Sequence, residues 1–490
     1  MKKKLLTTAV LAGIAGTAGA VNVNPDGLGQ VGLFPYYTVQ SGTDTYISIL
    51  NTTNEVKAVK VRFLEGKNSR EVLDFNLYLS PFDIWTGAVT TASATGPGHL
   101  VTFDKSCTVP AIPAAGVDFR NFAYTGTAFD GEDTSLARTR EGHIEIIEMG
   151  VVVDEADPST FKPATWATHV AGVPDDCAAL NAAWGTAGAW TVANGRAVDN
   201  PTGGLSGAGV LINPNEGTAN GYNATMLDNW VVGFGDVHSA PGDTAPNLSA
   251  AFPPVSDVFV SGPAAVVTST WAGLPSGGLN AVSAVLMHDN IINEYTVESG
   301  LNAGTDWVVT FPTKAEYVLV AAGAAWAATP PFATKFGAGG ARPGTDNPAA
   351  DPLTTGGACE IVGVTIWDRE EQTPVGDVDF SPQPAGGVDS LCWETNVITF
   401  NDTDVLNSQN LRLNVPVPNN FQNGWMRLSF TEASQAMTSV DGDNFGGLPT
   451  IGFAVQNYVN GTLSGGTVLS NYGVLFNHRA TRSVSDGIIF

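Results

Sequence analysis

Two stretches near the start of the chain alternate apolar and polar residues at period two: Val59-Lys60-Val61-Arg62-Phe63 and Leu73-Asp74-Phe75-Asn76-Leu77-Tyr78-Leu79. Successive side chains of a strand point to opposite faces, so this pattern predicts strands with one buried and one solvated face. Gly66-Lys67-Asn68-Ser69 separates the two with turn residues, and Asn51-Thr52-Thr53-Asn54 ends an earlier strand at Tyr46 to Leu50. Leu100 to Phe103 and Ile144 to Ile147 add enough strands for a β-sandwich over residues 21–155.

From 156 to 280 the pattern weakens, because Gly, Ala, Asn and Pro dominate and strand stretches such as Val210-Leu211-Ile212 and Val258-Phe259-Val260 are short. This reads as a loop-rich insertion. A helix is expected from Ala281 to about Tyr295, with Val282, Val285, Leu286 and Ile292 at helical spacing and Asp289 interrupting the apolar face. Strand patterns return at Trp307 to Phe311, Val362 to Ile366, Met426 to Phe430 and Ile451 to Val455. A second sandwich over 281–490, free to share a sheet with the first, accounts for them, with a Pro- and Gly-rich loop over 327–358. The fold class expected is mostly β: two antiparallel β-sandwich units, a loop-rich insertion and one short helix.

The run Tyr46-Ile47-Ser48-Ile49-Leu50-Asn51-Thr52-Thr53 and the alternating strands after it resemble the immunoglobulin-like sandwich modules of secreted bacterial cell-surface proteins. The resemblance spans about a quarter of the chain and lacks the Cys and Trp spacing of true immunoglobulin domains. It implies architecture rather than activity.

Residues 1–20 carry a secretory pattern: Lys2-Lys3-Lys4, an apolar run from Leu5 to Ala18, and the small-residue exit Ala18-Gly19-Ala20. The expected location is outside the cytoplasm, as a secreted, cell-surface or periplasmic protein. The 22 basic and 47 acidic residues give a net charge of −25, and losing the three lysines leaves the remainder more acidic. Between Pro163 and Thr313 Arg196 is the single basic residue, which argues against nucleic acid as a partner. No later stretch is apolar for long enough to cross a bilayer as a helix. A membrane barrel ending at Phe490 is disfavoured because Arg482 and Asp486 share a face with Val484 and Ile488.

Cys107, Cys177, Cys359 and Cys392 make an even count for an oxidising compartment. Pairing Cys107 with Cys177 and Cys359 with Cys392 closes two irregular loops, and the absence of short Cys-Cys spacing argues against zinc. His99, His143, His169, His238, His288 and His478 are scattered without metal-ligand spacing, and no nucleophile elbow or phosphate loop is present.

Three features are candidates for binding. Closely spaced carboxylates can ligate calcium, and Asp441-Gly442-Asp443-Asn444 comes nearest to such a loop, ahead of Asp130-Gly131-Glu132-Asp133 and the Asp402, Asp404 pair. Trp166, Trp184, Trp190, Trp230 and Trp271 make sugar-stacking platforms if exposed and a core if buried, with burial the preferred reading. Lys57, Lys60, Arg62, Lys67 and Arg70 concentrate basic charge in an acidic chain, either as a solvated strand face or as a patch for association with further copies. The leading expectation is an exported structural or adhesive surface protein that self-associates. The alternatives are a secreted carbohydrate- or calcium-binding protein, with surface glycans as partners, and a secreted hydrolase with a dispersed site.

Overall fold

The computed structural model describes residues 19–93, 95–157, 161–260, 266–273, 276–320, 330–332, 336–337, 358–374, 378–381, 389–432, 434–463 and 465–485. The expected leader except its last two residues, most of the 327–358 loop, and Phe490 lie outside the described residues.

Ten strands come first: β1 (Asn22–Val23), β2 (Val31–Thr38), β3 (Asp44–Asn51), β4 (Val56–Glu65), β5 (Glu71–Leu79), β6 (Ile84–Thr90), β7 (His99–Val101), β8 (Cys107–Val109), β9 (Val117–Asp118) and β10 (Glu141–Val152). Three short helices follow, α1 (Pro163–Ala167), α2 (Cys177–Ala183) and α3 (Ala189–Val192). Then come β11 (Val198–Asp199), β12 (Leu205–Asn213), β13 (Thr218–Asn223) and β14 (Thr225–Asp228). These strands form two antiparallel sheets. The first runs β1-β14-β2-β10-β4-β5-β8, with β11 on β10, and the second runs β13-β12-β3-β6-β7-β9. Phe34, Val59, Val61, Phe63, Phe75 and Ile144 of the first sheet meet Ile47, Ile49, Trp85, Leu205, Leu211 and Tyr222 of the second in one core.

Residues 205–228, expected within a loop-rich insertion, therefore supply three strands of these sheets. Their strand character is masked by glycine. A Cβ on Gly207 would lie 2.5 Å from the Phe34 ring and one on Gly209 would lie 2.3 Å from Tyr222, so glycine is what lets the aromatic rings lie across the strand.

The second half begins with α4 (Ser276–Leu286). Its strands are β15 (Asn290–Thr296), β16 (Ala303–Thr310), β17 (Gly363–Asp368), β18 (Thr395–Phe400), β19 (Arg412–Val415), β20 (Asn423–Ser429), β21 (Ile451–Leu463), β22 (Val468–Asn477) and β23 (Arg479–Thr481), with α5 (Lys314–Val318) after β16. A third sheet runs β19-β18-β16-β21-β22, antiparallel except for the parallel β18–β19 pair, and a fourth runs β17-β20-β15-β23. Trp307, Val309, Ile398 and Phe400 of the third pack on Ile291, Tyr295, Ile366 and Met426 of the fourth.

The fold is thus mostly β and built largely of antiparallel sheets, with five short α-helices among the described residues where one was expected. The helix expected over 281–295 begins earlier and ends at Leu286. Beyond Asp289, the β-branched and aromatic Ile291, Ile292, Tyr295 and Thr296 sit in a strand that pairs with β20. Its start was hidden by Gly277 and Gly278, whose Cβ positions are closed by the backbone oxygens of Ala272 and Ser249.

Among the described residues no sheet is shared between the halves, but a core is. Val308, Phe453 and Val455 of the third sheet and Val397 of β18 join the first core, Tyr222 stacks on Phe453 at 5.1 Å, and the Thr310 hydroxyl donates to the Pro35 carbonyl at 2.7 Å. The third sheet closes the open end of the first sandwich.

The outer side of the first sheet is covered as well. Phe161, Leu180 and Trp190 from the helical segment pack on Ala58, Tyr78 and Met149. Trp230, Trp271 and α4 pack on Val31, Leu33 and Ile147. Every residue of β2, β4 and β10 is buried in consequence.

Candidate functional site

On β4 the alternation places Val59, Val61 and Phe63 in the sandwich core and Lys60 and Arg62 on the opposite side. Arg62 stands between Asp74 of β5 and Glu145 of β10 in register. Because this side is roofed over, its charges are paired. Lys60 Nζ donates to Asp74 at 2.9 Å and to the Ala240 carbonyl at 2.8 Å. Arg62 bonds both Glu71 and Glu145 at 2.8 Å. Lys57 bonds Glu148 at 2.8 Å and Glu55 at 2.9 Å, Lys67 bonds Glu132 at 2.8 Å, and Arg70 lies 3.5 Å from Asp130. The five basic residues expected on a solvated or associating face are instead mostly buried in ion pairs, which corrects the reading of an accessible basic patch. Removing two charges from water is costly unless each is paired and hydrogen-bonded, and that requirement explains the dense carboxylate complement.

Sequence reasoning missed a second buried ion cluster, at the end of β4. Arg138 is fully buried and spends all five N–H donors: Nε and Nη2 on Glu65 at 2.9 and 2.8 Å, Nη1 and Nη2 on Asp130 at 2.9 and 2.6 Å, and Nη1 on the Asp133 carbonyl at 3.0 Å. Its guanidinium also lies over the Tyr124 ring at 4.1 Å. Burial opposes ionisation of Glu65, but Arg138 and the backbone N–H groups of Asn68 and Lys67 outweigh it and hold the carboxyl below its ordinary range. Burial dominates at Glu145 and pushes it up to about 7 despite Arg62.

The acidic loops also have protein partners. Asp441 accepts from the Thr270 N–H at 2.6 Å, and Asp443 accepts from the Ser269 hydroxyl at 2.5 Å, so both tie down the hairpin of Val255–Phe259 and Val266–Thr270. Asn444 opens a short strand opposite Thr438. Asp402 and Asp404 clamp Arg412. Among the described residues no three His, Cys, Asp or Glu side chains gather as a metal ion requires, and the calcium expected at Asp441, Asp443 and Asn444 finds no such arrangement.

Disulfides join Cys107 to Cys177 and Cys359 to Cys392. Trp190, Trp230 and Trp271 are buried, and Trp166 and Trp184 pack beside Trp190. The indole sites the sequence left unnoticed are Trp367 and Trp425, directly opposite on β17 and β20, half-buried and stacked at 4.0 Å, with Arg427 over Trp367. Each lies just past or before an apolar strand pattern, which was the available signal.

An open surface lies on the outward side of the second sheet. There β3 presents Asp44, Tyr46, Ser48 and Leu50, and β6 presents Ile84, Thr86, Ala88 and Thr90. On the other side of β3, β12 presents Ser206, Ala208, Val210 and Ile212, and β13 presents Ala219, Gly221 and Asn223. Tyr46, Ala88 and Val210 stand in one row across three strands, as do Ser48, Thr86 and Ala208. Asp44 is the one charged side chain these strands turn outward, and Tyr46, Ile84 and Ile212 are 39, 47 and 38% exposed. Such a face, uncharged except for Asp44 and carrying exposed Tyr46, Ile84 and Ile212, is chemically suited to packing. No helix among the described residues is long and apolar enough to cross a membrane. Comparison with protein-family models, curated proteins and solved structures returned no match.

Proposed function

We propose that the chain is an exported structural component of the cell surface that packs against copies of itself through the outward face of the second sheet. The observation that carries this reading is the near absence of charge across β3, β6, β12 and β13 in a protein with 47 acidic and 22 basic residues. Two like copies repel wherever their carboxylates meet, and a face whose one carboxylate is Asp44, at its edge, is where contact costs least. The export component rests on the basic, apolar and small-residue leader and on two disulfides, which persist in oxidising compartments.

The test is sedimentation velocity of the purified mature protein at low and high salt. Association should strengthen as salt screens the acidic surfaces, and Ala88→Glu or Ala208→Glu should abolish it. Monomers at every salt and protein concentration overturn the reading, as does association that either substitution leaves unchanged.

Glycan binding is the second reading, supported by the half-buried Trp367–Trp425 stack with its flanking Arg427. Retardation in polysaccharide-containing gels that Trp425→Ala removes would favour it, and equal mobility with and without polysaccharide would exclude it for the glycans tested.

A further inference from the structure

A cavity of about 340 Å³ lies where the two halves meet, between β1, β13 and β14 on one side and the end of α4, the start of β21 and the chain from Asn477 to Arg482 on the other. Its walls contain no aspartate or glutamate, which is notable in a chain whose acidic residues outnumber its basic ones by about two to one. They do contain Arg482. This guanidinium donates to the Val285 carbonyl at 2.9 Å and the Met287 carbonyl at 2.8 Å, closing the C-terminal end of α4. Two of its five N–H groups are used in this way, and among the described residues it makes no ion pair. Burial pulls it down to about 10, with no carboxylate opposing that shift, so it remains cationic at neutral pH.

The other polar groups on the walls are neutral. His288 and His478 are pushed down to about 3 and 4, chiefly by burial, and both are uncharged imidazoles at pH 7. The Nδ1 of His288 is buried and has no hydrogen-bond partner. The Asn24, Asn223 and Asn477 side chains supply amides, and Met226 and Ile291 supply apolar surface. A partly buried cation without a counter-charge is a costly arrangement, and a bound anion relieves it.

We infer that this cavity between the halves binds a small organic carboxylate, with Arg482 receiving the carboxylate and the neighbouring amides the polar body of the ligand. A single guanidinium among neutral groups matches one negative charge, and the volume falls within the range of small-molecule sites. The cavity shares only Asn223 with the outward sheet face, and the substitutions that test the two readings lie at other residues, so self-association and ligand binding are tested separately.

The experiment is calorimetric titration of the full mature protein with sodium glucuronate, with glucose at matched ionic strength as the uncharged counterpart. Glucuronate should bind with a Kd of about 1 mM or tighter, glucose at least about tenfold more weakly, and Arg482→Gln should lose at least about tenfold in glucuronate affinity. Because Arg482 also closes α4, a second variant, Ala480→Trp, places a bulky ring at an exposed position of the cavity wall while leaving that contact intact, and it should abolish binding with an unchanged far-ultraviolet spectrum. No saturable heat with glucuronate, equal affinity for glucose, or undiminished binding by Ala480→Trp overturns the assignment.

Discussion

In the first sheet the outward positions Lys60, Arg62, Asp74 and Glu145 are charged and covered, whereas in the second sheet Ser48, Thr86, Ala88 and Ala208 are uncharged and open. The usual expectation, charge outside and neutral residues inside, is reversed between two sheets of one sandwich. The difference lies in what each sheet meets. The first is roofed by α1 to α4 and the Trp230 region, so its charges survive only as a mutually satisfied network. Among the described residues the second meets no such roof, and apart from Asp44 its outward side chains on β3, β6, β12 and β13 are neutral. Charge in this protein is used as internal mortar, and the contact proposed above lies on a nearly neutral face.

The comparison can be broken most forcefully at Arg138. Arg138→Ala leaves Glu65 and Asp130 buried without their partner and should cost about 3–5 kcal/mol in urea unfolding. Lys57→Met alone should cost about 3 kcal/mol by removing the cation that Glu148 pairs with, while Lys57→Met with Glu148→Gln should recover most of it, because a neutral amide escapes the desolvation of a charge and its oxygen still accepts from the backbone N–H of Thr202 or Gly203. Failure of that recovery would mean the Lys57 layer contributes net stability rather than a balanced exchange.

A pH series sharpens the same contrast. Glu145 holds its proton to about pH 7 in the folded state against an ordinary value of 4.5, so the folded protein binds more protons than the unfolded chain between those limits. Its contribution to stability is therefore full below about pH 4.5 and is lost as pH rises through 7. His143, pushed down to about 3 by burial, acts oppositely: its contribution is full above its ordinary 6.5 and is lost as pH falls towards 3. Glu145→Gln should flatten the decline of the thermal midpoint between pH 5 and 8, measured by calorimetry, without removing the loss in acid. The smallest effect belongs to the open sheet, where Thr86→Lys should change unfolding free energy by less than about 0.5 kcal/mol. A larger cost there would show that its outward face is packed after all.

Much of the strand framework is legible in the sequence because the period-two pattern of β4 and β5 is local. Which face meets water is not local. The alternation of Lys60 and Arg62 with Val59, Val61 and Phe63 is the same whether helices roof the basic side or water does, and the roof comes from residues more than 100 positions away. β12 was hard to read for a different reason: Gly207 and Gly209 lower its strand propensity while making room for Phe34 and Tyr222. The expected disulfide partners needed only loop closure, but the Arg138 cluster needed the convergence of β4, the 130–133 loop and the residues before β10, which no spacing rule reveals.

The joint core has a consequence for the order of events in time. Phe34, Tyr36 and Tyr222 belong to a hydrophobic interior whose closing wall includes Phe453 and Val455. A chain delivered from its N-terminus presents that interior unsealed until residues beyond 450 have emerged. The final seal of the first sandwich is set by the tail, and a chain cut short before β21 would lack the Phe453 and Val455 part of that wall.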